Sequence, residues 1–331
     1  MMTLNAQTLA TLRQRLRWLG AIPPIYVVLI ALFVWIWILN PNFSQSTVFL
    51  SFLRRATPLL ILAAGQLFVI VSGGFDLSVG SLITLTVLGS AVMLDNDPSR
   101  TWWVISVMYL IGIGVGLFNA FVVNVLRVSS FIGTLGMLLA LKGLALYWSS
   151  GAPAGYLPDN FRIFGRGVVE DVPLLGRLPY AVIVLIVFAT IAIFIYHGTS
   201  LGKLIKTVGD NPQAARLSGV RVSWVRTIAF VTSSVSAVTA GILLGGFAGV
   251  STNVGDGYEL EAISAVVLGG AVLLGGQGSV PNAIAGALTL RALFTLLNLL
   301  GLSAPVRFVV QGIIIIGAAA YAAYSMRRSS K

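Results

Sequence analysis

The chain contains no cysteine and only one histidine in 331 residues. Disulfides, thiolate metal sites and a cysteine nucleophile are therefore excluded, and no metal site can be assembled from the pattern of the remaining ligand types. The single imidazole, His197, falls where an apolar segment meets a basic loop and reads as a solvated or capping residue rather than a proton relay. Charge is scarce as well: Lys and Arg number 21, Asp and Glu 10, and together they make up 9% of the chain. No G-x-x-x-x-G-K-[ST] phosphate loop, H-E-x-x-H pair or G-x-S-x-G elbow occurs, so no catalytic or cofactor-binding residues are assigned and the chain has no ATPase site of its own. Gly112, Gly114 and Gly116 begin like a dinucleotide fingerprint but lie inside an apolar run, where no βαβ unit can form. The net charge of +11 is spread over many short loops, and no polar domain exists to hold nucleic acid.

What is abundant is apolar sequence. Hydrophobic residues make up 57% of the chain, in runs long enough to cross a bilayer core. The reading is one all-α integral membrane domain over 1–331, with about ten spans at 21–39, 56–71, 77–94, 102–124, 131–148, 179–196, 227–247, 262–274, 283–300 and 308–324. The first span follows Arg13, Arg15 and Arg17, exceeds a signal-peptide core and lacks a small-residue cleavage site, so it is expected to be retained. With both termini cytoplasmic, twelve bases fall inside, among them Arg127, Arg327, Arg328 and Lys331. Seven fall outside, Arg307 among them, together with most of the acids. That asymmetry favours this orientation. The spacings Gly112/Gly116 and Gly241/Gly245/Gly249 let helices approach closely, most simply within the subunit.

Segment 199–226 stands apart. Lys203, Lys206, Arg216, Arg221 and Arg226 face a single acid, Asp210, which places the loop in the cytoplasm. Its middle reads as a short helix. Asp210 or Asn211 can cap it, Pro212 suits its first position, Ala214, Ala215, Arg216 and Leu217 favour it, and Gly219, ten residues after Gly209, can stop it. A small helix on the inner face of a membrane protein suits docking by a soluble partner.

Two places interrupt the spans. SGGFDLSVG at 72–80 sets Gly73, Gly74, Asp76 and Ser78 between apolar segments, and GGQGSVP after a short run near 262–274 includes Gln277. Irregular backbone at membrane depth persists only where protein or a water-filled cavity satisfies it, so both are candidate broken or re-entrant segments on a translocation path. Asp76 also suits capping of a helix that starts near Leu77. Lys142, Glu261 and Arg291 lie in or beside spans, where a charge is costly and faces the bundle interior. Arg291 reads either as half of a buried pair or as a polar contact on the path. The outer segment 149–177 is too short for a domain but is available to an external partner.

Several of these stretches together resemble the membrane permeases of ribose-type ABC sugar importers. GGFDLSVGS at 73–81 is similar to the family's GG-x-DLSVGS signature. FIGTLG at 131–136, GDNPQAARLSGV at 209–220 and YELEAISAVVLGGAVLLGGQGS at 258–279 match further family stretches. The sequence departs from the family pattern at Ser129, Lys142, Glu261 and Gln277, and at Arg291, Phe294 and Thr295 on one helix. The resemblance implies a bacterial inner-membrane permease that pairs with a second permease, identical or related. It further implies a cytoplasmic subunit carrying ATP and Mg2+, docked on 209–219, and an extracytoplasmic solute-binding protein. Nucleoside and branched-chain amino acid permeases of the ABC class, and a stand-alone secondary transporter, stay open as alternatives. Reversing charge with Arg216→Glu is expected to weaken association of the ATPase subunit.

Overall fold

The computed structural model describes residues 23–317, apart from 174, 304, 307, 311, 314 and 315. Arg13, Arg15 and Arg17, the start of the first span, Arg307, the end of the last span, Arg327, Arg328 and Lys331 lie outside the described residues, as do both termini. The chain forms α1 (Pro24–Leu39), α2 (Ser46–Val71), α3 (Val79–Leu94), α4 (Thr101–Asn124), α5 (Ser130–Trp148) and α6 (Asp159–Arg166). After a hairpin come α7 (Tyr180–Ile193), α8 (Ser200–Asp210), α9 (Pro212–Leu217), α10 (Val222–Ala248), α11 (Tyr258–Leu268) and α12 (Val280–Leu299). Residues beyond 304 are helical where described.

Among the described residues, six helical segments are long and apolar enough to cross a membrane: Ser46–Val71, Pro98–Asn124, Ser130–Trp148, Tyr180–Gly198, Val222–Ala248 and Val280–Leu299. The helices α1 and α3 are apolar but shorter, at 16 residues each. The chain is thus a mostly helical, multi-pass membrane protein. One departure from an all-α fold is a small antiparallel hairpin, β1 (Val168–Val172) with β2 (Gly176–Pro179), in which Val168 pairs with Pro179 and Val169 with Leu178. It begins in segment 149–177, just after α6, and ends two residues beyond that segment at Pro179.

The packing centre is α10, because its small residues let other helices come close. A Cβ on Gly65 of α2 would overlap Ser236, and one on Gly116 of α4 would stand 2.7 Å from the Val231 backbone. On Gly112 it would meet a Val238 methyl at 2.5 Å. Gly241 lies against Thr86 of α3, and Gly245 against Leu157 and Phe161. Gly112/Gly116 and Gly241/Gly245 therefore serve packing within the subunit, where dispersion contacts rather than the hydrophobic effect hold helices together in lipid, whereas Gly249 follows the end of α10 with no neighbour within 4 Å of a Cβ there. Almost every residue of α3 is buried. By contrast, Leu117, Phe118 and Phe121 of α4 and Ile132, Leu135 and Leu139 of α5 are exposed, a surface suited to lipid tails or another membrane subunit.

Candidate functional site

Segment 199–226 holds more structure than one central helix. The helix α8 precedes the expected one, and α10 begins at Val222, well before residue 227. Thr199 caps α8 by accepting from the Leu201 amide at 3.2 Å. Gly202, Ile205, Val208 and Gly209 recur at helical spacing and are buried against the bundle. The short helix α9 has the start and stop expected of it. Asn211, rather than Asp210, caps it through Oδ1, accepting from the amides of Gln213 at 3.0 Å and Ala214 at 2.9 Å. Pro212 occupies the first position, and Gly219 follows its end at φ +83°. Of its six residues only Ala215 is buried; Pro212, Gln213, Ala214, Arg216 and Leu217 are exposed. Leu217 is 88% exposed, an isolated apolar side chain on a polar surface.

Gly209, placed with the docking residues by the sequence, is itself buried. A Cβ there would overlap the Val71 carbonyl at the end of α2 and come within 2.5 Å of the Gly276 amide nitrogen. A Cβ on Gly275 would stand 3.0 Å from the Cα atoms of both Gly73 and Gly209. Gly275 also needs its φ of +99°, which a residue with a Cβ rarely adopts. The Gly276 amide closes the junction by donating to the Val71 carbonyl at 2.9 Å. The two interruptions read from the sequence thus meet each other, and they meet at the end of α8. Nearby, the Tyr196 hydroxyl donates to the Gly278 carbonyl at 3.0 Å while Lys206 sits 4.9 Å from the Tyr196 ring centre.

The first interruption, residues 72–78, is a buried polar knot. Helix α3 starts at Val79, two residues later than expected, so Asp76 does not cap it. Its Oδ1 instead accepts from the Ser78 amide at 3.1 Å and the Ser78 hydroxyl at 2.6 Å, and Asp76 is fully buried. Asn119 of α4 donates to the Ser78 hydroxyl at 2.9 Å, and Gln66 of α2 donates to the Asp76 carbonyl at 3.2 Å. Ser233 of α10 donates to Gln66, and Thr134 and Ser130 of α5 accept from the amides of Leu77 and Phe75. Side chains from two helices, Gln66 of α2 with Ser130 and Thr134 of α5, bond the irregular backbone, and Asn119 of α4 and Ser233 of α10 bond the side chains of Ser78 and Gln66 in turn. Sequence reasoning did not single out Gln66, Asn119 or Ser233, although each is a polar residue inside an expected span.

The second interruption begins where α11 stops at Leu268, short of the expected 274, and the chain turns at Gly269 and Gly270. Gly286 of α12 makes room for the Ala265 carbonyl, so α11 and α12 cross closely. Gln277 is exposed in this turn, where its carbonyl accepts from the Val272 amide. It follows Gly276, which packs against Asp210 at the end of α8, rather than lying among the charges of α11 and α12. Arg291 finds a partner: its Nη2 stands 2.7 Å from Oε2 of Glu261, with both side chains mostly buried and the Tyr258 ring 5.2 Å away. Arg291, Phe294 and Thr295 also line a cavity of about 370 Å³ with Phe43, Phe52 and Arg55. Lys142 is placed differently, half exposed, with Nζ 3.0 Å from both oxygens of Asp256 in the turn before α11. The charges named from the sequence therefore form two separate pairs, distinct from the knot around Asp76. His197 is exposed.

The two internal breaks of this membrane body are thus packed against α8, and comparison with known proteins supplies the family. A family profile described as the permease component of the branched-chain amino acid transport system matches residues 48–319. The ribose import permease protein RbsC of Escherichia coli K12 is 35% identical over 296 residues, covering 87% of this chain and 90% of that protein. RbsC of Bacillus subtilis is 31% identical over 95% of this chain and 97% of its own length. The autoinducer 2 import system permease protein LsrC of Yersinia enterocolitica is 30% identical over 87% of this chain and 79% of that protein. No solved structure gives a significant match. With the profile spanning most of the sequence, the chain belongs to this family of transport-system permease components.

Proposed function

We propose that the chain is the permease subunit of a binding-protein-dependent ABC importer, providing the path for a sugar or similar small polar solute. ATP and Mg2+ are held by a separate cytoplasmic subunit, and the permease binds no cofactor directly. The observation that carries this reading is α9: a capped, exposed helix with Leu217 bare to solvent, rooted through Gly209 in both interruptions of the bundle. A partner that moves α8 and α9 displaces the backbone at 73 and 275–276 together, because no side chains lie between them to absorb the motion. A stand-alone secondary transporter has no use for such a handle.

The rest of the assembly follows. The permease crosses the bacterial cytoplasmic membrane about ten times with both ends inside, pairs with a second permease, and receives solute from an extracytoplasmic binding protein. The names of RbsC and LsrC support a sugar-like solute, whereas the family description keeps branched-chain amino acids and, by the same class, nucleosides as the alternative. Gentle purification of the tagged protein from its native membrane, with identification of co-purifying chains by mass spectrometry, tests this. An ATP-binding subunit is expected. Reproducible isolation without one, under conditions that preserve complexes, contradicts the reading.

A further inference from the structure

A second cavity, of about 400 Å³, opens beside α9 and shares Gly73, Gly74 and Arg216 with the site already described, while Arg127 and Arg226 have no role in the transport reading. Three guanidinium groups line it: Arg127 from the α4–α5 turn, Arg216 from α9 and Arg226 from the first turns of α10. Hydroxyls of Ser129, Ser130 and Ser223 share the wall. No acidic residue lines the cavity, and among the described residues none of the three arginines enters a salt bridge. Three like charges around one space repel one another, and an anion relieves that repulsion. Arg127 is also held at φ +56°, a left-handed conformation that non-glycine residues adopt at some energetic cost. A strained residue that aims a cation into a cation-lined cavity is one that structure over-determines.

The surroundings indicate which anion. Arg226 is four residues into a membrane-length helix, so, resting on the proposed orientation, the cavity falls at the cytoplasmic end of that helix, the level at which a headgroup would sit. Its flanks carry exposed apolar side chains, Phe121 at 47%, Val125 at 62% and Leu126 at 57% on the α4 side, with Trp224 at 53% on α10. Tryptophan at a membrane boundary and apolar side chains below a basic pocket are the surroundings of a headgroup with its acyl chains. We infer that this cavity binds the phosphate headgroup of an anionic phospholipid of the cytoplasmic leaflet, its acyl chains lying along α4. Basic pockets between helices on the cytoplasmic side bind such headgroups for the same electrostatic reason. Because the cavity wall includes Ser72, Gly73 and Arg216, an occupying lipid touches both the first interruption and α9.

Native mass spectrometry of the full chain released from nanodiscs of mixed phosphatidylglycerol and phosphatidylcholine tests the inference without requiring transport. The wild type is expected to retain phosphatidylglycerol preferentially. Removing two guanidinium groups with Arg127→Gly and Arg226→Gln is expected to reduce that preference roughly thirtyfold. Arg127→Gly alone removes a charge while relaxing the left-handed backbone, so a folding defect does not confound it. Equal retention of the two lipids, or an unchanged preference in the variants, overturns the inference. Thermal stabilisation by inorganic phosphate equal to that by phosphatidylglycerol identifies a free anion and overturns the lipid assignment. Loss of a soluble or membrane partner in the variants with lipid retention intact assigns the arginines to protein carboxylates instead.

Discussion

Gly209, at the end of α8, leaves so little space that a Cβ on it would reach to 2.5 Å of the Gly276 nitrogen, 67 residues along the chain. The contact joins the end of α8 to the second interruption without an intervening side chain. Gly209→Ala forces the two backbones apart, and overpacking of this kind costs about 1–3 kcal/mol. Lower thermal stability in detergent is expected, and solute uptake is expected to fall further than protein abundance does. Full uptake in the alanine variant would show that the junction tolerates separation.

The pair Glu261–Arg291 is mostly buried, with side-chain exposures of 15% and 21%. Arg291→Met leaves a carboxylate buried without its partner, at a cost of about 3–5 kcal/mol. The double variant Glu261→Gln with Arg291→Met removes both charges and is expected to recover a substantial part of that loss. Thermal unfolding of the four proteins of the cycle measures the coupling. Additive effects would mean that the two groups do not interact.

Lys142–Asp256 has a similar separation but a different setting, with exposures of 37% and 44%. Water screens such a pair, so Lys142→Met is expected to change stability by at most about 1 kcal/mol. High salt is expected to shrink the effect further. A loss as large as that of Arg291→Met would place Lys142 in a drier environment than its exposure indicates.

Asn211→Ala removes the acceptor for two amides at the start of α9 and is expected to destabilise that helix by about 1 kcal/mol. Hydrogen exchange resolved to residues 212–217 should quicken while the bundle stays protected. Unchanged exchange would mean that neighbouring packing through Ala215, rather than the cap, holds α9 in place.

Local features were the legible ones. The cap, the first-turn proline and the terminating glycine of α9 act over a few residues, so their chemistry shows in the sequence. The two interruptions were visible for the same reason, because Gly and Asp stand out against apolar runs. Long-range relationships were not visible. Nothing in segment 209–219 indicates that Gly209 packs against Val71 and Gly276, and the partner of Arg291 lies across the α11–α12 turn. Helix α8 is masked in the sequence by the basic character of segment 199–226, although Gly202, Ile205, Val208 and Gly209 carry a helical period. The knot around Asp76 was found only at its centre. Gln66, Asn119 and Ser233 take on meaning once three separate helices bring them together.

Charge reversal at Arg216 is a mixed probe of docking, since that residue also lines the cationic cavity. Leu217 gives a cleaner one. The chain has no cysteine, so Leu217→Cys introduces a unique thiol on the exposed side of α9. Site-specific cross-linking from that thiol in native membranes tests the central claim, with Tyr156→Cys, in the segment expected to face outside, as control. The expected result is a covalent adduct with an ATP-binding subunit from position 217 and none from 156. Efficient labelling of both thiols with no such adduct from 217 would contradict the claim that α9 is the handle through which ATP hydrolysis drives this permease.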